Sequence, residues 1–572
     1  MSQAILSPVI SKVDADVSSA SIDLLRPFLT SHDRSLVFFV GAGASIAGNT
    51  GMPRTPTLLY HLLLQALSAS GKFDLQSSTV SATLKEISSR IGFEITLNDF
   101  WQICRQATAL LYGSFADLEM KCVSNQVHAF LAYWLSTGGT VITTNYDCLI
   151  EREWVKLGGP IQSRYRRRLP LSFVEWKKEL NQGGILFKIH GSLDDPKSCL
   201  GALEHVGTQM TGHKAELLKE VIRTRPLCFI GWQGVDPDIP PLLYNMLRKR
   251  DASLPTFWIH YEGYPAGSIT LQETIKNCSD LIKPYAGNHP ILTDADHACG
   301  EFLHWIGIQS YPNPIRKTES FDFSQAISHC TKSGLVRMVG ITLRRAKKYE
   351  EAETVFKEAL NLAVTSRERN AALQEIALLQ QQIKGRDTDQ ARESLTNASK
   401  FLEEEPDIHL QLNTDFGLLS MSIVALKKRP WLLFKIPSLF NKYREDIETL
   451  QRKNTDKKSV ALHNSLYWLY VGRLRFKLFG WLGVLVHPVG NWILQPFDIA
   501  HSTIGDAKDI HLHSRIDVLA YRAIASAHLG YCQEAQKDVP EIRRLIAILN
   551  DDARTRHWEK QEEEIKQYCN RK

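Results

Sequence analysis

Gly41, Ala42 and Gly43 form a short turn directly after an apolar run at residues 36–40. Glycine lets the backbone approach a phosphate closely, and free N–H groups at the start of a following helix favour negative charge. The pattern therefore predicts a strand, a tight turn and a helix that bind an anion, most naturally the pyrophosphate of a dinucleotide. The third glycine of the usual dinucleotide motif is absent, so a turn that binds nothing stays open as an alternative.

Strand-like apolar runs return further along the chain, and helical sequence separates each of them from the next. The runs lie at residues 36–40, 140–143, 185–189, 227–230 and 256–259. Strands that alternate with helices indicate a doubly wound parallel sheet, and the ligands of such sheets bind beyond the carboxyl ends of the strands. The sequence therefore predicts an α/β, Rossmann-like fold with a site at that edge.

Polar and glycine residues follow these runs where the strands are expected to end. They are Thr143, Asn145 and Asp147 after the second run, His190 after the third, and Gly231, Asp236 and Asp238 after the fourth. Each has a plainer interpretation, since Asn145 and Asp147 could cap a helix and His190 could lie in a turn. The two later aspartates could also be turn residues. Their convergence on one edge of the sheet favours a shared binding site.

Four short motifs, in this order along the chain, resemble the sirtuin family and more narrowly its bacterial NAD-consuming branch found in antiphage defence. They are GAGAS at 41–45, TTNYD at 143–147, KIHGS at 188–192, and FIG at 229–231 followed by Asp236. The resemblance extends over residues 30–310. It implies a sirtuin-like domain that binds NAD.

The resemblance also implies a role for each matching position. Ala42 and Ser45 would lie along the phosphates and ribose of NAD. Asn145 and Asp147 would face the nicotinamide end, and His190 would be the active-site base. The remaining positions complete the implied NAD-binding set: Gly41, Gly43, Thr143, Gly231 and Asp236.

The residue types suit cleavage of the bond between nicotinamide and ribose. Cleavage builds positive charge on ribose C1′ while nicotinamide departs as a neutral molecule, so a dry pocket that holds the pyrophosphate needs few catalytic groups. Asn145 can place a water molecule, and a histidine such as His190 can take a proton from a ribose hydroxyl near neutral pH. With water as the acceptor, the expected products are nicotinamide and ADP-ribose, and no metal is required.

Departures from the sirtuin deacylases argue against removal of acyl groups from lysine. Those enzymes carry a four-cysteine zinc module after the catalytic histidine, whereas this chain has only Cys199 there, and none of its ten cysteines forms a C-x-x-C pair. Pro53 of the cofactor loop also lies further from the glycine turn than in the deacylases. Deacylation or ADP-ribosyl transfer stays open as one alternative, and a non-catalytic nucleotide-binding scaffold stays open as another.

Strand-like sequence ends at about residue 333, and helical sequence follows. The stretch at 345–360 resembles the tetratricopeptide repeat, with small and aromatic residues at the spacing of paired helices, and two looser matches follow it. We therefore expect a catalytic domain at 1–310 and an all-α, tetratricopeptide-like solenoid domain at 311–572, with an irregular helical bundle as the alternative. Solenoids offer concave surfaces that bind partners.

The 572 residues carry a net charge of +6, distributed as −1 over residues 1–310 and +7 over residues 311–572. The basic second half suggests an acidic partner, either a protein or, without a supporting motif, a nucleic acid. The longest apolar stretch, at 478–494, is interrupted by polar residues, which favours a helical hairpin over a membrane span. Scattered single cysteines and the lack of a secretory signal predict a cytoplasmic protein. The resemblance also implies that the protein forms a homo-oligomer. It further implies that a protein partner or a phage-derived trigger acts through the helical domain.

Overall fold

In the computed structural model, the chain forms two compact units. One comprises Met1–Gln65 with Gly92–His329, and the other comprises Ala66–Ile91 with Cys330–Lys572. The structure describes residues 19–31, 34–47, 50–69, 71, 78–88, 93–104, 107–158, 184–196, 198–199, 212–232, 234, 239, 243, 246–247, 250, 254–261, 270–276, 289–309, 321–384, 389–425, 430–452, 457–485, 487–506, 512–549 and 552–570.

Six strands form one parallel sheet in the first unit. They are β1 (Val37–Val40), β2 (Thr140–Thr143), β3 (Ile185–Lys188), β4 (Leu227–Ile230), β5 (Thr256–His260) and β6 (Pro290–Leu292). Their order across the sheet is β3-β2-β1-β4-β5-β6, so the strand order reverses between β1 and β4 as in Rossmann-like sheets. The predicted α/β fold is confirmed. Strand β6 has only three residues, too few for an apolar pattern to predict it.

Every residue of β1 is buried, because helices and aromatic side chains cover both faces of the sheet. Phe38 packs edge-on against Phe130, with ring centroids 5.2 Å apart. Phe39 packs against Phe229 and Trp232, with centroids 5.2 and 4.6 Å away. Successive side chains of a strand point to opposite faces. Burial on both faces explains why β1 reads as one continuous apolar run.

Helices connect the strands, and three of them flank the predicted site. In chain order, the α-helices that the structure describes before residue 330 are α1 (Arg26–Thr30), α2 (Gly43–Ile46), α3 (Thr55–Ser68), α4 (Ser78–Ser88), α5 (Phe93–Ile103), α6 (Thr108–Lys121), α7 (Gln126–Ser136), α8 (Leu149–Lys156), α9 (Gly212–Thr224), α10 (Leu271–Lys276), α11 (Ala295–Trp305) and α12 (Ser324–Ser328). Helix α2 follows β1, α7 precedes β2 and α8 follows it. The start of α7 is fixed by reciprocal hydrogen bonds between Asn125 and His128, the arrangement of a capping box.

The described residues of the second half of the chain form helices joined by short turns, and they include no strand. Its helices are α13 (Lys332–Arg345), α14 (Tyr349–Asn361), α15 (Ser366–Lys384), α16 (Asp389–Glu404), α17 (Ile408–Ala425), α18 (Ile436–Arg452), α19 (Lys457–Leu485), α20 (His487–Asp506), α21 (Leu512–His528), α22 (Cys532–Leu549) and α23 (Asp552–Asn570). Each helix packs on the next, and every second helix, beginning with α13, also packs on the next but one. This pattern is typical of stacked helical hairpins. The predicted all-α second half is confirmed, and its tetratricopeptide-like character stays a prediction.

Close helix packing in this unit depends on small residues. A Cβ on Gly340 of α13 would lie 2.5 Å from the ring of Phe356 on α14.

Helix α4, although it precedes β2 in the chain, also packs on α13, and Lys348 pairs with Glu86 at 3.0 Å. The helical unit therefore contains a segment that comes from between β1 and β2.

The apolar stretch at 478–494 lies at the junction of α19 and α20, which pack against each other as a hairpin. Among the helices that the structure describes, none is at once long enough and apolar enough to cross a membrane.

Replacing Gly231 by alanine is expected to lower the free energy of unfolding of the first unit by about 2–4 kcal/mol. Gly231 has a φ of +60°, and a Cβ there would lie 2.3 Å from the backbone nitrogen of Ala44. Gly307→Ala is the matched control, since its φ is +78° and no atom lies within 4 Å of the added carbon. The control should lose about 1 kcal/mol from backbone strain alone. Equal losses in urea denaturation would contradict the packing argument.

Candidate functional site

The register of the sheet aligns the segments that leave its carboxyl edge. Val40 of β1 pairs with Thr143 of β2 and with Ile230 of β4, and Thr143 pairs with Lys188 of β3. The four segments that follow these residues therefore leave the same edge side by side. The strand order reverses at this point, which is where doubly wound sheets bind their ligands.

The glycine turn after β1 packs backbone to backbone on the turn after β4. The N–H groups of Gly41 and Gly43 donate to the carbonyl oxygens of Ile230 and Gly231, at 3.0 and 2.9 Å. A Cβ on Gly43 would lie 2.8 Å from the Cα of Gly231. The glycines are therefore required by this contact between turns, whether or not a phosphate also approaches them.

The N–H groups at the start of α2 are already used within the protein. Those of Ala44 and Ser45 donate to carbonyl oxygens one turn earlier, at 3.0 and 3.1 Å, and that of Gly43 donates to Gly231. The expectation of free N–H groups is therefore wrong for these three residues. Ala42 is exposed, and it is the predicted phosphate contact that this turn presents to solvent.

The buried hydroxyl of Ser45 is the centre of a hydrogen-bond network. It donates to Oδ2 of Asp147 at 2.8 Å and accepts from Nδ2 of Asn145 at 3.0 Å. Nε2 of His128, on α7, lies 3.2 Å away. A hydroxyl has one donor and two acceptor positions. The protein itself therefore satisfies Ser45 completely.

Asn145 is 7% exposed, and its backbone is held by the preceding strand. Its N–H donates to the hydroxyl of Thr143 at 3.1 Å, and this hydroxyl donates to the carbonyl oxygen of Val40 at 3.0 Å. The Oδ1 atom of Asn145 is buried and has no hydrogen-bond partner among the described residues. Such atoms are rare in folded proteins. Oδ1 therefore marks a position for a ligand or a water molecule.

Asp147 connects this network to the helix that follows. One carboxylate oxygen accepts from the N–H of Leu149 at 3.2 Å, at the start of α8, and the other accepts from Ser45. The helix-cap interpretation of Asp147 is thus realised alongside its contact with the site. The two contacts orient the carboxylate.

His190 lies on the turn after β3, next to the turn that carries Asn145. It is 5% exposed, and its ring packs on that of Tyr146 with the centroids 6.1 Å apart. The N–H of Leu193 donates to the carbonyl oxygen of Tyr146 at 2.8 Å, which joins the two turns. Gly191, with a φ of +94°, permits the sharp bend of the chain directly after His190.

The structure therefore brings Ser45, Asn145 and Asp147 into direct contact and places His190 on the adjacent turn. Gly231 lies at the same edge, against the glycine turn. Asp236 and Asp238, both predicted here, lie outside the described residues.

This part of the chain is also where a known family is recognised. Residues 139–278 match the family model of the SIR2-like domain. The match spans β2 to β5 and includes Asn145, Asp147 and His190 with the turns that carry them. It supports a sirtuin-like domain with a function related to NAD.

Two other comparisons add little. No curated protein matches the chain. A solved structure of Naa15/Naa10 bound to HypK-THB is similar over 39% of this chain and 34% of that one, with 19% identity and a TM-score of 0.14. The chain spans about a third of the length of that relative.

Lys188, at the end of β3 in the SIR2-like domain, has a completely buried side chain. Its ammonium lies 3.0 Å from Oε1 of Glu151 and 2.9 Å from Oγ of Ser192. It also donates to the carbonyl oxygens of Tyr146 and Asp147. A buried charge is tolerated when it is paired and hydrogen-bonded in this way. Lys188 thereby ties the turn after β2 to β3.

Glu119, near the end of α6, is a further carboxylate close to this turn. Its Oε1 pairs with Arg152 of α8 at 2.9 Å. Burial and then the negative charge of Asp147 raise the pKa of Glu119 to about 7, against the opposing effect of Lys188 and Arg152. The charge of Glu119, which acts on Asp147, therefore changes with small changes of pH around neutrality.

The cysteines of the SIR2-like domain near the site are protonated. Burial raises the pKa of Cys148 to about 11 and that of Cys199 to about 12. Burial therefore favours the thiol over the thiolate at both positions, which makes neither cysteine a ready nucleophile near neutral pH. Within the described residues, no group of three or more His, Cys, Asp or Glu side chains could hold a metal ion.

Sequence reasoning assigned no role to four residues of this site: His128, Lys188, Glu119 and Glu151. Lys188 leaves a signal, because a lysine inside an apolar run must find a partner if the strand is buried. The other three lie on helices, at positions where polar residues are common. Only the fold brings them to the edge of the sheet.

Replacing Lys188 by methionine is expected to lower the free energy of unfolding by about 3–5 kcal/mol, because the buried Glu151 then loses the cation that lies 3.0 Å away. The double variant Lys188→Met/Glu151→Leu should recover part of this loss, since two backbone carbonyls still lack their donor. Lys219→Met serves as the control. It removes an exposed pair with Glu216 and should cost less than about 1 kcal/mol in urea denaturation. A loss in Lys188→Met no larger than that of the control would contradict this account.

Proposed function

We propose that the SIR2-like domain binds NAD at the carboxyl edge of the sheet and hydrolyses it to nicotinamide and ADP-ribose. A function related to NAD follows from the family match at 139–278. The hydrolytic reaction is supported by the motif residues that the strand register gathers on adjacent turns. It is supported further by the lack of the cysteine pairs that a deacylase zinc module requires.

The observation that carries the proposal is Oδ1 of Asn145, which is buried and has no hydrogen-bond partner in the described part of the chain. An acceptor held in this state within a folded protein costs stability unless a donor arrives. Water and the hydroxyl groups of the nicotinamide ribose are such donors. Asn145 lies at the turn where the resemblance places the nicotinamide end of NAD.

Each residue then has a role in the proposed reaction. Asn145 binds the water or ribose hydroxyl through Oδ1, and His190 accepts a proton from a ribose hydroxyl. The carboxylate of Asp147 stabilises the positive charge that develops on ribose C1′ as nicotinamide leaves. Thr143 and Ser45 act through Asn145, because their hydroxyls are used in holding it.

The pyrophosphate end of the proposed site rests on the glycine turn. Ala42 is the exposed contact for the phosphates, while Gly41, Gly43 and Gly231 keep the two turns close enough to form one surface. Asp236 stays a predicted contact. The proposed reaction needs no metal, since the charges involved are met by side chains.

Nicotinamide release from NAD by the purified 572-residue protein, measured alone and with candidate triggers, should fall at least about 100-fold in Asn145→Ala and in His190→Ala. The products can be quantified by chromatography. Asn361→Ala and His304→Ala are the matched controls, because both residues are exposed and neither belongs to the segments that follow the strands at the candidate site. They should retain the activity of the unmodified protein.

Hydrolysis that survives in both site variants would refute this assignment. An acyl group lost from lysine, or an ADP-ribosyl group gained by a protein, would instead indicate deacylation or transfer. NAD that binds and is recovered intact would indicate a nucleotide-binding scaffold.

The helical unit is proposed to bind the trigger of this activity. Its stacked hairpins are an arrangement that suits protein recognition, and residues 311–572 carry a net charge of +7. The resemblance to antiphage effectors implies that the trigger is another protein or a phage-derived molecule. It also implies that this chain acts as a cytoplasmic homo-oligomer. Nucleic acid is the alternative ligand.

Cells that produce the full-length protein should lose NAD only after infection by a phage that supplies the trigger. Cells with Asn145→Ala should keep their NAD under the same infection, because the chemistry is removed while the helical unit is intact. Cellular NAD and nicotinamide can be measured over time after infection. Equal NAD loss in both strains would contradict the proposal, as would NAD that stays constant in infected cells across a broad set of phages.

A further inference from the structure

His128 lies on α7 and is fully buried, and its partners define its protonation state. The backbone N–H of Asn125 points at Nδ1 from 3.1 Å, and because an N–H can only donate, Nδ1 carries a lone pair. Burial lowers the pKa of the ring to about 4, so the ring is neutral near pH 7. The ring proton is therefore on Nε2, 3.2 Å from the hydroxyl of Ser45.

This tautomer and the carboxylate of Asp147 together determine the hydrogen bonds of Ser45. The hydroxyl proton goes to the carboxylate of Asp147, which can only accept. The N–H of His128 occupies one of the two acceptor positions of the hydroxyl. The side-chain amide of Asn145, 3.0 Å away, must then present its NH₂ group. A reversed amide would face its oxygen toward a hydroxyl with no proton to offer.

We propose that His128 is a positioning residue that, through Ser45, holds the amide of Asn145 with Oδ1 toward the ligand. His128, Ser45 and Asn145 are called the amide relay below. The inference rests on the proposed NAD site and specifies how that site recognises its ligand. Oδ1 takes a hydrogen-bond donor, either a ribose hydroxyl or the attacking water, and rejects groups that can only accept, such as phosphate oxygens.

The test compares two substitutions of His128. His128→Phe keeps a ring of similar size but removes the donor, and nicotinamide release should fall about 10- to 100-fold. His128→Gln can still donate an N–H and should stay within a few-fold of the unmodified protein. Ser45→Ala breaks the amide relay at its centre. The double variant His128→Phe/Ser45→Ala should therefore be as active as the less active of the two single variants. His304→Phe, at an exposed position, is the control.

Binding measurements distinguish the two donors. Calorimetry with NAD in the His190→Ala background, with and without His128→Phe, keeps the ligand intact during the titration. A raised Kd indicates that the relay orients Asn145 toward a ribose hydroxyl. An unchanged Kd combined with a lower kcat indicates the attacking water.

The tautomer itself can be observed without any activity. Solid-state NMR of ring-¹⁵N histidine, with His128→Gln used for assignment, should show a neutral ring with its proton on Nε2 that stays neutral down to about pH 5. A proton on Nδ1, or titration near pH 6.5, would overturn the inference. Full activity in His128→Phe and Ser45→Ala would also overturn it.

Failure of the proposed function is a separate outcome. If the unmodified protein releases no nicotinamide either alone or with candidate triggers, hydrolysis is refuted, while the amide relay is still judged by the NMR tautomer and by the affinity for NAD. If His128→Phe does not fold, Ser45→Ala and the tautomer decide the question.

Discussion

The hydroxyl of Ser45 joins three segments of the chain that are far apart in sequence. It meets Asp147 and Asn145 on the turn after β2 and His128 on α7, with its own backbone in α2. A buried hydroxyl with all three positions filled holds its partners in one geometry, since any change leaves a polar atom unpaired. The arrangement of the candidate site depends on this one group. Ser45 therefore supports the site, and its contact with the cofactor stays a prediction.

The charged side chains around the turn after β2 differ in their burial and in their partners. Lys188 is buried and paired with Glu151, whereas Glu119 is paired with Arg152 and shares its surroundings with Asp147. Burial makes unpaired charge costly, so Lys188 and Glu151 are paired and the pKa of Glu119 is raised. The carboxylate of Asp147 and the amide of Asn145 share the hydroxyl of Ser45. The charge of this carboxylate is the one that cleavage of an N-glycosidic bond would use.

The glycine motif has a second physical meaning in this fold. Gly41 and Gly43 permit the contact with Gly231, in which an added Cβ would overlap backbone atoms. The same glycines are those that a phosphate-binding turn requires. A motif of this kind is therefore not evidence of a phosphate site until the packing around the turn is known. Here it holds β1 and β4 together at the point where the strand order reverses.

The sequence by itself determined the elements and their class. Continuous apolar runs such as 36–40 predict buried parallel strands, because both faces of the sheet exclude water, and the polar residues after them predict which edge carries the site. Only the tertiary structure decided what those residues touch. His128 and Glu119 reach the site from helices on which their positions look ordinary, and the segment 66–91 joins the helical unit. Local propensity depends on residues that are neighbours in the sequence. The protonation of His128, the orientation of Asn145 and the pairing of Lys188 arise instead from contacts between residues that are distant in the sequence.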